Sequence, residues 1–262
     1  MSRLFIIKEY MQYRLRALNR HGVHSPFVYA FNDEVIADKR HFYAFKAIEK
    51  LRKQLYLSKE KMEVQDFGAG SYHTKKNIRS IASIAKLAGR SHHHGMLLFR
   101  MVNYYQSKNI LELGTSLGIG TSYLALANPA ATVTSIEGSK AIADCAMKNF
   151  KANQIQNVQQ IVGNFDAVLP DVLANNPPFD FVFIDGNHQY QPTLNYFNLL
   201  ITKVAEEAIL VFDDIHWSPR MKQAWQEIAA DPRVKLSVDV FQFGIVFINK
   251  NFKEKQHFII KY

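Results

Sequence analysis

Three strings in the chain hold residues whose types and spacing could do chemistry. The first is Phe181-Val-Phe-Ile-Asp-Gly-Asn-His188, an apolar run followed by Asp185 and then His188. The second is Ile209-Leu-Val-Phe-Asp-Asp-Ile-His216, again an apolar run, ending in Asp213, Asp214 and His216. If the two runs are adjacent parallel strands, three carboxylates meet at one strand end. Carboxylates that close repel one another unless protonated or bound to a cation. A hard divalent ion with oxygen ligands, its shell completed by water, relieves that repulsion. The plainer alternative is that Asp213 caps the following helix and Asp185 closes a turn. His188 is then either a proton acceptor or a hydrogen-bonding residue at a helix end.

The third string is Ile110-Leu-Glu-Leu-Gly-Thr-Ser-Leu-Gly-Ile-Gly120, a strand, a glycine turn and the start of a helix. Gly114 and Gly118 have no Cβ, so the backbone can pass close to a ligand. Glu112 stands just before the turn. Glu137 follows the next apolar run, 23 residues after Gly114, where an acid can accept both hydroxyls of a ribose. A dinucleotide fingerprint wants G-x-G-x-x-G, and the spacing here, G-x-x-x-G-x-G, does not match it. Gly114-Thr-Ser-Leu-Gly118 also spells the G-x-S-x-G of a serine hydrolase. Ser116 would then be the nucleophile, Asp185 or Asp213 the acid, and His216 or His257 the base. That reading leaves Glu112 and Glu137 without a role, and no earlier strand–helix loop offers its oxyanion donor.

The elements that must position these groups follow from the apolar pattern. Helices are expected over 1–19, 27–36, 42–57, 78–87 and 95–105, with a break at His21–Pro26 and a glycine turn at Asp66–Ser71, read as a loop. From residue 109 short apolar runs alternate with helical stretches. Strands are expected at 110–113, 132–136, 158–162, 181–184 and 208–212, each followed by a helix. Two further runs, 234–240 and 244–248, lie too close together for a crossover and must form an antiparallel hairpin. The expected fold is α/β: a Rossmann-like, mostly parallel sheet of seven strands, closed by that hairpin and covered on both faces. Residues 1–95 form a helical extension to a core domain over 96–262.

Composition limits the function classes. With 262 residues, 48% hydrophobic and 21% charged, the chain is not wholly disordered. A single cysteine, Cys145, excludes an internal disulfide and a thiolate cluster, and fits a reducing, cytoplasmic setting. No apolar run approaches the roughly 20 residues of a membrane helix, and Leu4–Ile7 is too short for a secretory core, so no membrane partner is expected. Residues 1–109 hold 20 Lys+Arg against 8 Asp+Glu, whereas 110–262 hold 12 against 15. A basic flank points to an anionic partner or to a solvated helical surface. A nucleic-acid partner is disfavoured, because no aromatic–basic interleaving accompanies the charge; a non-catalytic nucleic-acid-binding protein, its basic segment tracking phosphates, stays open as the non-enzymatic alternative. His92, His93 and His94 are consecutive and point apart, which argues against a shared ion. His21, His24, Tyr43 and His73 are grouped as lid residues, and Trp217 either stacks on an acceptor ring or packs.

On these strings the chain resembles the class I S-adenosylmethionine-dependent methyltransferases. Glu112-Leu-Gly-Thr-Ser-Leu-Gly118 is similar to their first motif, E/D-x-G-x-G-x-G, with Ser116 in place of the middle glycine. The resemblance covers roughly residues 96–250. It implies that Glu112, Gly114, Thr115, Ser116 and Gly118 serve the cofactor's methionine and ribose, that Glu137 binds the ribose hydroxyls, and that Gly163 and Asn164 lie by the adenine. Asn164 stands where the family is often acidic. The acidic strand ends further resemble the metal-dependent small-molecule O-methyltransferases of the catechol and macrolide-sugar types. That implies a divalent cation, magnesium by expectation, at Asp185, Asp213 and Asp214, with Asp185 also bordering the cofactor and His188 as the base. The acceptor is expected to be a small molecule bearing a hydroxyl, and anionic if the basic flank contributes. The extension is expected to form a lid or the interface of a homodimer.

Overall fold

A computed structural model describes residues 3–19, 22–64, 77–87 and 91–262. The glycine turn expected at Asp66–Ser71, and His21 and His73, lie outside the described residues. The first part of the chain forms α1 (Arg3–Arg16), α2 (Pro26–Phe31) running into a π-helical turn (Asn32–Ile36), α3 (Tyr43–Leu57), β1 (Lys61–Val64), β2 (Asn77–Ser80), α4 (Ile81–Leu87) and α5 (His92–Tyr105). Strands and helices then alternate: β3 (Asn109–Leu113), α6 (Ile119–Ala127), β4 (Thr132–Glu137), α7 (Lys140–Ala152), β5 (Val158–Val162), α8 (Phe165–Asn175), β6 (Phe181–Ile184), α9 (Tyr190–Leu200), β7 (Glu207–Asp213) and α10 (Pro219–Ala230). Three strands end the chain: β8 (Leu236–Asp239), β9 (Phe243–Asn249) and β10 (Gln256–Ile259). No helix among the described residues is long and apolar enough to cross a membrane.

The chain divides into two compact units. The first is Lys39–Pro177. Its strands β3, β4 and β5 are parallel, with Leu113 opposite Ile136 and Glu137 opposite Val162. The loops after the three strands therefore leave at the same end. β1 and β2 form a separate antiparallel pair, Glu63 opposite Ile78. Residues 78–80, expected to be helical, are extended because this pairing supplies their backbone hydrogen bonds; the helix starts at Ile81. The boundary expected at residue 95 falls inside α5, whose Ser91 cap accepts from the His94 backbone N–H.

α5 and α6 approach closely, and a Cβ at Gly95 would collide with the Tyr123 ring. Tyr123 is fully buried, and its hydroxyl lies 2.6 Å from His92 Nδ1. Burial raises the Tyr123 pKa to about 12, so the phenol stays protonated and donates. His92 must then accept, as a neutral ring. Partial burial, with Arg52 and then Arg100 nearby, lowers its pKa from the ordinary 6.5. The unfolded chain therefore takes the proton first as the pH falls. Stability is full above about pH 6.5 and declines as the pH drops toward the lowered folded value. Urea unfolding between pH 5 and pH 8 should show this slope, and His92→Gln should flatten it (both pH values approximate limits of the histidine range).

The second unit joins the described residues up to Asp38 with Pro178–Tyr262. Its strand order is β10-β8-β9-β7-β6. β6 and β7 are parallel, β9 runs antiparallel to β7 and β8, and β10 is parallel to β8. Every residue of β6 is buried, as are the six of β7 from Ala208 to Asp213, matching their unbroken apolar runs. The expected hairpin is β8–β9. β10 is an additional strand, giving eight rather than seven in the alternating part of the chain. It is a short edge strand whose first two residues, Gln256 and His257, are exposed, so it carries no buried apolar run. α1 is fastened to this unit. Tyr13 Oη donates to the Ile260 carbonyl at 2.6 Å, and the Lys261 N–H donates to the Leu18 carbonyl at 3.0 Å.

Candidate active site: a glycine turn and a carboxylate cluster

In the Lys39–Pro177 unit the loop after β3 is shaped by its glycines. Gly114 adopts φ 106° and Gly118 φ 80°, conformations that L side chains rarely take. A Cβ on Gly118 would also press on the Phe150 ring. Ser116 adopts φ 49° without being glycine, a conformation that costs about 1–3 kcal/mol and persists where surrounding contacts impose it. Those contacts are present. The Ser116 N–H donates to Glu137 Oε2 at 2.9 Å, and the Ser139 N–H donates to Glu137 Oε1 at 2.9 Å. The Gly114 N–H donates to the Ile136 carbonyl, and Asn149 Nδ2 to the Leu117 carbonyl. Glu137 thus sits at the end of β4 and braces the turn after β3.

Glu112 is wholly buried, and its Oε2 accepts from Thr121 Oγ1 at 2.5 Å and Ser135 Oγ at 2.6 Å. Thr115 Oγ1 lies 2.5 Å from Ser135 Oγ. Glu112 and Thr115 therefore tie β3, β4 and α6 together beneath the turn. At the end of β5 the Gly163 N–H donates to the Glu137 carbonyl at 2.9 Å. Asn164 is the N-cap of α8, its Oδ1 accepting from the Asp166 N–H at 2.8 Å. Eight residues expected at the cofactor, Glu112, Gly114, Thr115, Ser116, Gly118, Glu137, Gly163 and Asn164, fall at or under the ends of β3, β4 and β5. Glu137 touches the turn directly, while Glu112 faces inward.

In the other unit the register Ile184 opposite Phe212 brings Asp185 and Asp213 to neighbouring strand ends. Asp185, His188 and Asp213 each present a ligand atom within 4.8 Å of the others. His188 Nε2 lies 3.6 Å from Asp185 Oδ1 and 3.8 Å from Asp214 Oδ2. Asp213 is buried, and the other three are partly exposed. Three residues around the cluster, Asn187, Asp214 and Phe241, have φ of 52°, 56° and 69°. Such strain gathers where a loop must aim a side chain.

Gln242, in the turn between β8 and β9, was not singled out from the sequence. Its Nε2 donates to Asp213 Oδ1 at 2.8 Å and to Asp214 Oδ1 at 2.5 Å. One amide so fixes the orientation of both acids and offsets part of their repulsion. The only hint in the sequence is that a polar residue interrupts Phe241-Gln-Phe243 between two apolar strands. The grouped donors, the carboxylates of Asp185 and Asp213 with the His188 imidazole, fit a divalent cation, and Asp214 stands beside them, 3.8 Å from His188.

His216 and His257, the two bases of the hydrolase reading, have other partners. His216 Nε2 lies 2.8 Å from Asp239 Oδ2, its ring stacks on Phe241, and Lys222 pairs with Glu9 beside it at 2.6 Å. His216, Asp239, Lys222 and Glu9 line a cavity of about 400 Å³ together with Trp225 and Tyr13. His257 Nδ1 lies 2.8 Å from Ser237 Oγ. Neither histidine is joined to Asp185 or Asp213, so the acid–base pairing of the hydrolase reading is not formed. His92 and His94 contact Tyr123 and Ser91 respectively, and build no common site. Trp217 is exposed, and its backbone N–H closes a turn onto the Asp214 carbonyl.

Comparison with known proteins agrees with this geometry. A family model described as a methyltransferase domain matches residues 111–215. Protein R132 of Acanthamoeba polyphaga mimivirus is 32% identical over 160 residues, 55% of this chain and 70% of that one. A catechol O-methyltransferase of Niastella koreensis is 30% identical over 128 residues, 48% of this chain and 57% of the relative, so the chain spans little more than half that enzyme. Among solved structures, the O-methyltransferase TomG of Streptomyces achromogenes, in complex with S-adenosylmethionine, superposes with a TM-score of 0.58 at 19% identity, covering 80% of this chain and 91% of that one. At that identity the structural likeness speaks for the fold. The motif, the sheet and the family match agree: residues 111–215 match a methyltransferase domain, in a chain whose fold is that of the class I S-adenosylmethionine-dependent methyltransferases.

Proposed function

We propose that the chain transfers the methyl group of S-adenosylmethionine to a hydroxyl of a small-molecule acceptor, with a divalent cation held by Asp185, Asp213 and Asp214. The observation that carries the finer part of this reading is the convergence of Asp185, His188 and Asp213 at the ends of β6 and β7. The likeness to a catechol O-methyltransferase supports it and makes a vicinal diol the first acceptor to try.

When bound, S-adenosylmethionine supplies an electrophilic methyl on sulfur, and the cation supplies charge that favours the ionised form of the acceptor hydroxyl. The chain's own residues do the rest. Gly114 and Gly118 leave room for the cofactor backbone. A carboxylate oxygen can accept two hydrogen bonds, so Glu137 receives the ribose hydroxyls while still bracing Ser116 and Ser139. Gly163 and Asn164 border the adenine. Glu112 serves as a positioning residue beneath the turn. His188 takes the acceptor's hydroxyl proton, and Asp185, 3.6 Å from its Nε2, stabilises the charged ring. The basic N-terminal part favours an anionic acceptor.

The test is transfer of labelled methyl from S-adenosylmethionine to catechol and its carboxylated derivatives, with added magnesium and with excess chelator. Methylated product that disappears with chelator is expected; undiminished transfer in chelator removes the cation from this reading. Gln242→Ala should weaken Mn²⁺ binding by about tenfold, the usual cost of losing a group that orients metal ligands. Electron paramagnetic resonance titration of Mn²⁺ reads this without an acceptor.

A further inference from the structure

Helix α1 has two apolar faces, and only one is used. Its inner face is fixed by Tyr13, by Tyr10 edge-on to Phe241 at 5.0 Å, and by the Glu9–Lys222 pair. Its outer face exposes Leu4 (76%), Ile7 (55%), Met11 (61%) and Leu15 (86%). At about 100° per residue these four fall within an arc of about 80°, one unbroken stripe along the helix. Arg3 and Arg14 flank the stripe on one side and Lys8 on the other, all exposed, and Arg16 follows at the end of the helix. The one acid of α1, Glu9, is buried and already paired, so the outer surface is purely cationic around an apolar strip.

We propose that this face of α1 docks the protein in the plane of an anionic lipid surface. An in-plane helix places apolar side chains about 5–10 Å into the headgroup boundary while lysine and arginine on its flanks meet lipid phosphates. The arrangement fits a second copy of the chain poorly. Two such helices packed face to face would oppose cations with cations and offer no carboxylate between them. The partner must be apolar within and negative at its surface, which describes a bilayer with anionic headgroups. This peripheral mode needs no membrane-spanning helix, and it departs from the expectation of no membrane partner. It stands apart from the methyl-transfer reading, since none of these residues belongs to the glycine turn or the carboxylate cluster.

Sedimentation of the full chain with vesicles tests it. Binding is expected to mixed phosphatidylcholine–phosphatidylglycerol vesicles at low salt, to fall steeply with added salt, and to be absent with phosphatidylcholine alone. Each cation removed should weaken binding about fivefold, so Arg14→Gln and Lys8→Gln should each show that loss, and Met11→Ser a comparable one. These exposed positions leave the fold intact, which circular dichroism checks. Failure to bind the mixed vesicles, or equal binding by all variants, overturns the proposal. A dimer in light scattering that Met11→Ser dissociates also overturns it, and assigns the face to a second copy.

Discussion

Asp213→Asn should lower kcat by about a thousandfold, the scale of several kcal/mol that a polarising cation contributes to a transition state. The affinity for S-adenosylhomocysteine should stay within about twofold, because Asp213 serves the acceptor side of the reaction in this account. Asparagine keeps the size of the side chain and one oxygen to accept the amide of Gln242, 2.8 Å from Asp213 Oδ1. It removes one of three clustered negative charges. The cation-free protein should therefore melt at a higher temperature than the unaltered chain, since like charges in one cluster cost stability. The upward shift in Tm on adding magnesium should vanish. Thermal melts with and without magnesium, set beside turnover, separate this outcome from simple unfolding. A variant that keeps both its turnover and its magnesium shift would exclude Asp213 as a ligand.

Glu137→Gln is expected to weaken cofactor binding nearly as much as Glu137→Ala. Both carboxylate oxygens face backbone donors, Ser116 N–H and Ser139 N–H at 2.9 Å each. A glutamine can satisfy only one of them, and its own N–H₂ then confronts the other donor. The turn at Ser116, held at φ 49°, relaxes once that contact goes. Lost hydrogen bonds to a charged group are worth about 1.5–3 kcal/mol each, so Kd for S-adenosylhomocysteine should rise by about a hundredfold in either variant. Isothermal titration reads this directly, and an unchanged Kd would refute the ribose assignment.

The contrast between these sites shows what the sequence makes legible. Strands β6 and β7 are buried apolar runs flanked by helical periodicity, and the sequence shows them plainly; β3 and β4 are mostly buried but carry polar residues, and β5, with no buried residue, is legible only from its place between two helical stretches. β10 is not legible, because an edge strand with its first residues exposed has no buried apolar run. Residues 78–80 carry a helical pattern in the sequence, and are extended through the pairing of β2 with β1 and through no local preference. In the site, acids at strand ends were found because an apolar run marks where the chain emerges. Gln242 escaped because it reaches Asp213 and Asp214 across 28 or 29 residues, from a turn whose sequence names no chemistry. The same distance effect hid the pairing of His216 with Asp239, 23 residues on, so His216 remained open as a base until the structure gave it a partner.

The central claim is that the turn from Gly114 to Gly118, braced by Glu137, holds a sulfonium nucleoside. Calorimetric titration of the unaltered chain with S-adenosylmethionine and S-adenosylhomocysteine tests it most directly. One equivalent of each should bind with or without magnesium, and Glu137→Gln should abolish most of the heat at the same concentrations. Absence of binding by either nucleoside, or binding indifferent to Glu137, would contradict the account.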